Sequence, residues 1–437
     1  MDSHRADVVI CGAGIAGVAA AYHLAVRHGV ERVVLVDERE PLTLTSDKGT
    51  QGYRNWWPGP DDTMLRFITR SIDIMEEMAN ESGNAIRLSR TGYLFATGNN
   101  AGVERLRTNA AMVSAFGMGD VREHPGADPY HPAPPDGFRD QPIGADLLLG
   151  DEVHRCFPFL TGDAKAALHV RRAGWMNGIA MGTWMLRRAL GCGVEFVRDR
   201  MTGVDVDRGR VHRVRLASGA TISTDRIVIA AGPMLGDVGD MLGVRLPVFH
   251  ELHAKLTMRD PQRIVPRNAP FVIWNDAVNW SNVGPLPPGV HVRPVDGPFG
   301  DELYLIWTYH TAKTDAVWPP AFDPRYADIV LRGAAEMIPG LSAYLGASER
   351  GVVDGGYYCK TEENRPLIGP LGVDGAYVLG ALSGYGLMGA HAGADLLAAH
   401  VTGAPLPDYA RWFLPSRYED PVYRAQIAAW GALMGQL

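Results

Sequence analysis

Near the start of the chain, Gly12-Ala13-Gly14-Ile15-Ala16-Gly17 has the spacing GxGxxG, and Asp37 stands twenty residues past the last of these glycines. In a chain with 51 glycines that spacing alone carries little. Here it follows a run of β-formers and opens a helical stretch, and that context makes it specific for a dinucleotide. Gly12 permits the tight turn, Gly14 lets the backbone approach a pyrophosphate, and Gly17 lets helix and strand pack closely. The free N–H groups at a helix start, Ile15 and Ala16 among them, carry partial positive charge toward the phosphates. Asp37 can accept hydrogen bonds from ribose hydroxyls, and its charge disfavours a 2′-phosphate. These residues suit FAD and NAD equally, and no second strand–GxGxxG–helix occurs.

A second constellation lies near the other end of the chain. A strand ending at Gly380 is followed by Ser383-Gly384-Tyr385-Gly386 and a helix that begins Leu387-Met388. Small residues in such a turn let the backbone approach a planar ring. The helix N-terminus then offers N–H groups to a ring that becomes negative on reduction.

The elements that must hold these groups can be read from the pattern. Asp7–Cys11 predicts a buried strand, Ile15–His28 a helix closed by Gly29, and Arg32–Val36 a second strand ending at Asp37. Thr43–Pro60 reads as a polar and aromatic loop, Asp61–Ser82 as a helix with a core-facing methionine stripe, and His124–Gly144 as a long surface connection. From Gly193 to Gly232 a β-meander returns to a buried parallel strand. Leu246–Trp307 holds further strands, Arg325–Ile338 a helix, Tyr377–Leu382 a strand and Leu387–Val401 a helix.

At 437 residues the chain is too long for one compact core, so two lobes are expected. A net charge of −7 without a basic run gives no footprint for nucleic acid. The apolar stretch Val8–Val26 holds three glycines, Tyr22 and His23, which argues for strand–turn–helix rather than a signal or membrane segment. Cys11, Cys156, Cys192 and Cys359 form no CxxC pair, which predicts reduced thiols in a cytoplasmic protein and no metal site.

Three separated blocks then resemble the D-amino-acid oxidase-like flavoprotein family, which contains the sarcosine and glycine oxidases. They are the Gly12 fingerprint through Asp37 with the TSDKG loop, IVIAAGPM at Ile227–Met234, and Thr361–Gly403. The resemblance implies an α/β fold: a Rossmann-type FAD-binding domain with an interleaved α+β substrate domain on an antiparallel sheet. The expected division is residues 1–90, 150–245 and 350–437 for the cofactor and 91–149 and 246–349 for substrate. It adds Glu38, Ser46, Lys48, Gly49, Val197, Ala230, Ala231 and Gly232 to the FAD contacts, and the turn and helix start Ser383–Met388 at the ring.

Where relatives attach flavin through a cysteine this chain has Gly356, so non-covalent FAD is expected. Where sarcosine-oxidising relatives hold the substrate carboxylate with a lysine it has Met388. Arg54 could clamp a carboxylate from the other side, and Lys48 could stabilise reduced flavin or forming superoxide. Tyr53, Trp56, Trp57, Trp274, Trp307 and Tyr385 are candidate substrate contacts, suited to an apolar or cationic amine. His250, His253 and His310 lie in the same lobe without an assigned role. The expected activity is oxidation of a C–N bond by hydride transfer to the flavin, giving an imine, with O2 or another acceptor taking the electrons. Oxidation of a 2-hydroxy acid, monooxygenation and non-catalytic flavin binding are the competing readings; the WxWxIP segment of flavin halogenases is absent.

Overall fold

A computed structural model describes residues 4–134, 137–280, 283–295, 300–346 and 351–430. At the centre is a six-stranded sheet. Its strands are β1 (Val8–Cys11), β2 (Val33–Asp37), β3 (Glu195–Arg198), β4 (Ile227–Ile229), β5 (Leu367–Pro370) and β6 (Ala376–Gly380). They lie in the order β3-β2-β1-β4-β6-β5, parallel except for the edge strand β5.

Residues alternate between the two faces of a strand, and β1 is buried on both. Val8 and Ile10 join one core with helices α1 (Ile15–Tyr22), α2 (Thr63–Glu81), α3 (Gly178–Gly191) and α4 (Gly386–Thr402). Val9 and Cys11 join another, roofed by the predicted meander, a four-stranded sheet of His4–Arg5, Thr221–Ser223, Arg210–Leu216 and Met201–Asp207. The expected methionine stripe of α2, Met64, Met75 and Met78 with its leucine and isoleucine neighbours, is fully in the core.

The second lobe is a nine-stranded sheet with the order Val352–Lys360, Phe249–Arg259, Glu302–Trp307, Val290–Val295, Phe271–Trp274, Tyr93–Thr97, Ala166–Val170, Ala145–Leu149, Val121–His124. Its pairings are antiparallel except for Phe271–Trp274 with Tyr93–Thr97 and Val121–His124 with Ala145–Leu149, so the sheet is mixed rather than purely antiparallel. Ala166–Val170 and Val352–Lys360 fall in segments assigned by sequence to the cofactor lobe, yet both pair here. The first is alanine-rich and the second contains Gly355-Gly356, so neither shows a clear strand signature.

The loop read as Thr43–Pro60 contains a short strand, Gly52–Arg54, paired with Ala173–Trp175. No described helix is long and apolar enough to cross a membrane.

The glycines of the fingerprint differ in what they permit. Gly12 has φ +104°, and a Cβ there would lie 2.5 Å from the carbonyl oxygen of Ala230. A Cβ on Gly17 would lie 1.8 Å from the carbonyl oxygen of Gly12. Replacing a helical glycine by alanine ordinarily adds stability, but this contact reverses the sign. Gly17→Ala is expected to lower the unfolding free energy by about 1–3 kcal/mol, the usual cost of overpacking, as read by urea denaturation.

Candidate functional site

One long cleft of about 420 Å³ runs along the C-terminal ends of β1, β2 and β4 and continues between β6 and the nine-stranded sheet. A cleft at the strand ends of an open α/β sheet is where such folds bind ligands. Of the expected cofactor residues, Gly12, Gly14, Ile15, Ala16, Asp37, Glu38, Ser46, Gly49, Ala230, Ala231, Gly232 and all of Ser383–Met388 line it. Gly17 does not; it is spent on helix packing. Val197 sits in β3 opposite Val36, and the wall is built by Asp199, Arg200 and Met201 beyond it.

At one end the donors and acceptors are pre-aligned. Asp37 accepts from the N–H of Ala13 at 2.7 Å and of Arg39 at 2.9 Å. Each carboxylate oxygen keeps a second lone pair for a ribose hydroxyl. The Ser46 hydroxyl accepts from the Ile15 N–H at 2.9 Å, leaving its own proton for a phosphate oxygen. A Cβ on Gly14 would meet that hydroxyl at 3.3 Å, so its bare backbone faces the groove. No acidic residue stands in the first turn of α1 or α4, so neither helix start repels an anion.

At the other end, Ala381 and Ser383 both adopt left-handed backbone (φ +54° and +48°) in the turn before α4. Non-glycine residues rarely do so, and such strain concentrates at functional sites. Tyr385 anchors this turn: its hydroxyl donates to the Asn364 carbonyl at 2.6 Å, and its ring meets Trp57 edge-on at 5.1 Å. Trp57 thus supports the turn from behind. A Cβ on Gly384 would be 2.5 Å from the Tyr358 ring, so this tyrosine presses against bare backbone beside the cleft.

Strand pairing shows which large-sheet residues share the cleft side. Glu251 pairs with Tyr358, Lys255 with Asp354 and Ile306, Ile306 with His291, and Tyr304 with Arg293. Phe271 pairs with Tyr93 on that same face. Trp274 and Trp307 alternate to the opposite face, in the core against the helix Tyr326–Met337, with the Trp307 indole N–H on the Pro287 carbonyl at 2.9 Å. They are removed from the substrate side, because the two-residue period of each strand turns them away.

The same period divides Gly52–Arg54. A Cβ on Gly52 would be 2.0 Å from the Tyr93 hydroxyl, and Arg54 lies over the Tyr93 ring at 5.4 Å. Tyr53 points away and donates to the Ser89 carbonyl at 2.8 Å. Trp56 is buried against Phe95. The Arg54 N–H donates to the Met388 sulfur at 3.1 Å, tying this strand to the start of α4. Lys48 departs from its expected place beside the ring. It is not among the residues lining the cleft, and its ammonium is held 2.8 Å from Asp47 and 3.9 Å from Asp354.

Sequence reasoning missed Tyr93, Tyr358, His291, Lys255 and Arg293. The signal was available in Phe249–Arg259, where Glu251, His253, Lys255 and Thr257 alternate with apolar residues. His253 stacks flat on Tyr358 at 3.9 Å, with Nε2 2.9 Å from Glu251 and Nδ1 3.1 Å from the Thr308 hydroxyl. Burial lowers its pKa. Lys360 holds Glu251 at 2.9 Å. Burial, reinforced by the Arg54 charge, brings His291 down to about 4, so it stays neutral. His250 is half-buried near Pro233, and His310 is exposed beside Asp323. Cys11 and Cys359 line the cleft, but burial pushes both thiols up to about 12 and keeps them protonated. No group of three or more metal-ligating side chains occurs among the described residues.

The profile of the FAD dependent oxidoreductase (DAO) family matches residues 7–400. The chain belongs to this family. As an FAD-dependent oxidoreductase it is 26% identical over 440 residues to the tRNA 5-methylaminomethyl-2-thiouridine biosynthesis bifunctional protein MnmC of Burkholderia mallei, covering 92% of this chain and 57% of that protein. It therefore spans little more than half the length of the curated relatives it matches. Its fold is similar to that of L-proline dehydrogenase from P. horikoshii, with a TM-score of 0.76 at 19% identity, covering 95% of this chain and 98% of that one. It is also similar to iminodiacetate oxidase from Chelativorans sp. BNC1, with a TM-score of 0.72 at 22% identity and coverage of 93% and 98%. For glycine oxidase from Geobacillus kaustophilus the TM-score is 0.72 at 17% identity, with coverage of 94% and 99%.

The residues present fit the dinucleotide: bare backbone at Gly14, an oriented Asp37 and two helix starts open onto one groove. Asp37→Ala removes hydrogen bonds to a charged acceptor. It is expected to weaken FAD binding by roughly ten- to a hundredfold, as measured by fluorescence titration of the apoprotein.

Proposed function

We propose that this oxidoreductase removes a hydride from the carbon beside the nitrogen of a small amine or amino-acid-derived substrate, giving an imine, with O2 as the electron acceptor. The carrying observation is the group of side chains at the Gly52–Met388 end of the cleft: Tyr358 lines it against Gly384, Arg54 is tied through its N–H to Met388 and lies over the Tyr93 ring, and the Arg54 charge reaches His291. When bound, FAD supplies the hydride acceptor. The protein's own residues bind and orient. Arg54 offers a planar fork to a carboxylate, and the aromatic rings of Tyr93 and Tyr358 shield an amine from water. Desolvation of that kind disfavours an ammonium and releases the neutral amine. Proline, glycine and iminodiacetate, named in the similar structures, each carry a carboxylate next to the amine carbon, which agrees with an arginine in this place.

Oxidation of a 2-hydroxy acid requires a base for the hydroxyl proton. His253 is unsuited, because both ring nitrogens are already engaged, and His291 at about 4 is a weak base. The amine reading is therefore preferred. Four free cysteines agree with a reducing compartment such as the cytoplasm.

Mixing the yellow holoprotein anaerobically with a panel of carboxylated amines, plain amines and 2-hydroxy acids tests this reading. Carboxylated amines should bleach the flavin; bleaching by hydroxy acids alone would overturn it. With the best amine, Arg54→Met should raise KM by roughly tenfold or more, the worth of a charged hydrogen-bonded contact.

Non-covalent attachment is part of the same proposal. Gly356 offers no side chain to attach a ring, a Cβ there would already meet Thr45 at 3.1 Å, and the Cys359 thiol is protonated. Acid precipitation should leave all the yellow colour in the supernatant.

A further inference from the structure

The loop Thr45–Gly52 runs along the cleft between the start of α1 and the nine-stranded sheet, and two buried cations reach it from that sheet. Lys255 Nζ donates to the carbonyl of Lys48 at 3.0 Å, and Arg293 Nε donates to the carbonyl of Thr50 at 2.8 Å. Lys255 is 4% exposed and Arg293 2%. The Tyr304 ring lies 5.2 Å from the ammonium and 4.7 Å from the guanidinium, and Trp175 packs on the latter at 5.3 Å. Burying a cation is costly, so two of them aimed at neighbouring main-chain carbonyls call for a reason.

Peptide geometry supplies one. In a trans peptide the C=O and N–H point in opposite directions, and the cis bonds among the described residues lie elsewhere, at His124–Pro125 and Trp318–Pro319. The Lys48 carbonyl shares its peptide unit with the Gly49 N–H, and the Thr50 carbonyl with the Gln51 N–H. Carbonyls drawn toward the sheet send both N–H groups the other way, and Gly49 and Gln51 line the cleft. Neither N–H meets a backbone acceptor among the described residues. Gln51 is held at φ +59°, a conformation a glutamine rarely adopts unless its surroundings impose it. Its carbonyl is also fixed, accepting from the Met176 N–H at 3.0 Å.

We propose that Lys255 and Arg293 are positioning residues that aim the Gly49 and Gln51 N–H groups at the N5–C4 carbonyl edge of the flavin ring. Their charge, passed through the two peptide units, makes these N–H groups stronger donors to the negative charge the ring gains on reduction. Asp354, 2.6 Å from Lys255, damps that cation's share. The inference rests on the ring occupying the Gly52–Met388 end of the cleft.

The test uses reconstituted holoprotein and two readouts besides turnover: sulfite titration, in which the sulfur lone pair bonds to N5 and the ring becomes anionic, and the flavin reduction potential by dye equilibration. Arg293→Met and Lys255→Gln should each raise the sulfite dissociation constant, by roughly tenfold for one charged hydrogen bond, and lower the potential. Arg293→Lys should recover most of the sulfite affinity. Unchanged sulfite affinity and potential in both neutral variants at full FAD occupancy would overturn the proposal. If Arg293→Met takes up no FAD, Lys255→Gln decides, since it keeps a donor for the Lys48 carbonyl without the charge. Failure of both to bind FAD would reduce the two cations to props for the loop, which also overturns it. Wild-type protein that stays colourless with FAD would instead defeat the cofactor reading beneath.

Discussion

The carbonyl oxygen of Gly12 occupies the space where residue 17 would carry a side chain, and Gly12 itself is wedged against the backbone of Ala230. Two segments distant in sequence, Gly12–Gly17 and Ala230, thus meet with main chain against main chain. Because no side chain intervenes, the first turn of α1 comes down onto the ends of β1 and β4, and its N–H groups open onto the groove. The polar groups at this end of the cleft are built outward from that contact. Asp37 is oriented by the Ala13 N–H and Ser46 by the Ile15 N–H, both from the same turn.

From this anchor the loop Thr45–Gly52 carries the geometry across to the second lobe. It is tied to α1 through Ser46, to the large sheet through the Thr45 hydroxyl on the Tyr357 carbonyl, and to the Ala173–Trp175 strand. Arg54 then bonds through its backbone to Met388 at the start of α4. One continuous piece of chain therefore touches both helix starts. The relative placement of the two helix starts is set by covalent connectivity as much as by packing.

The cofactor half of this arrangement was legible in the sequence because it depends on main-chain geometry, and main-chain geometry leaves a glycine signature. Gly12, Gly14, Gly17, Gly384 and the acid at Asp37 occur where a turn, a close approach or a ribose demands them. The substrate half was poorly legible because it depends on strand register. Trp274 and Trp307 looked like ring-stacking residues by composition, yet which side of the sheet they face is decided by pairing with Ala96 and Val290. Lys48 reads differently in the structure because its ammonium sits between its sequence neighbour Asp47 and Asp354, which comes from a strand three hundred residues away. Strands rich in alanine or glycine, Ala166–Val170 and Val352–Lys360, bury their backbone without advertising it, so the second lobe read smaller than it is.

The nine-stranded sheet has a core of its own on one face, while the other meets the core of the first lobe and, at Tyr357–Cys359, the cleft; its strands place alternate residues on the two faces. Stability and selectivity are therefore written on interleaved positions of the same strands. Drift at His291, Tyr304 or Ile306 can retune what is accepted while Val290, Val292 and Leu305 keep the lobe folded. Such a division lets one scaffold diversify its chemistry repertoire with little structural risk, which is a route by which a single architecture can serve many small nitrogenous metabolites.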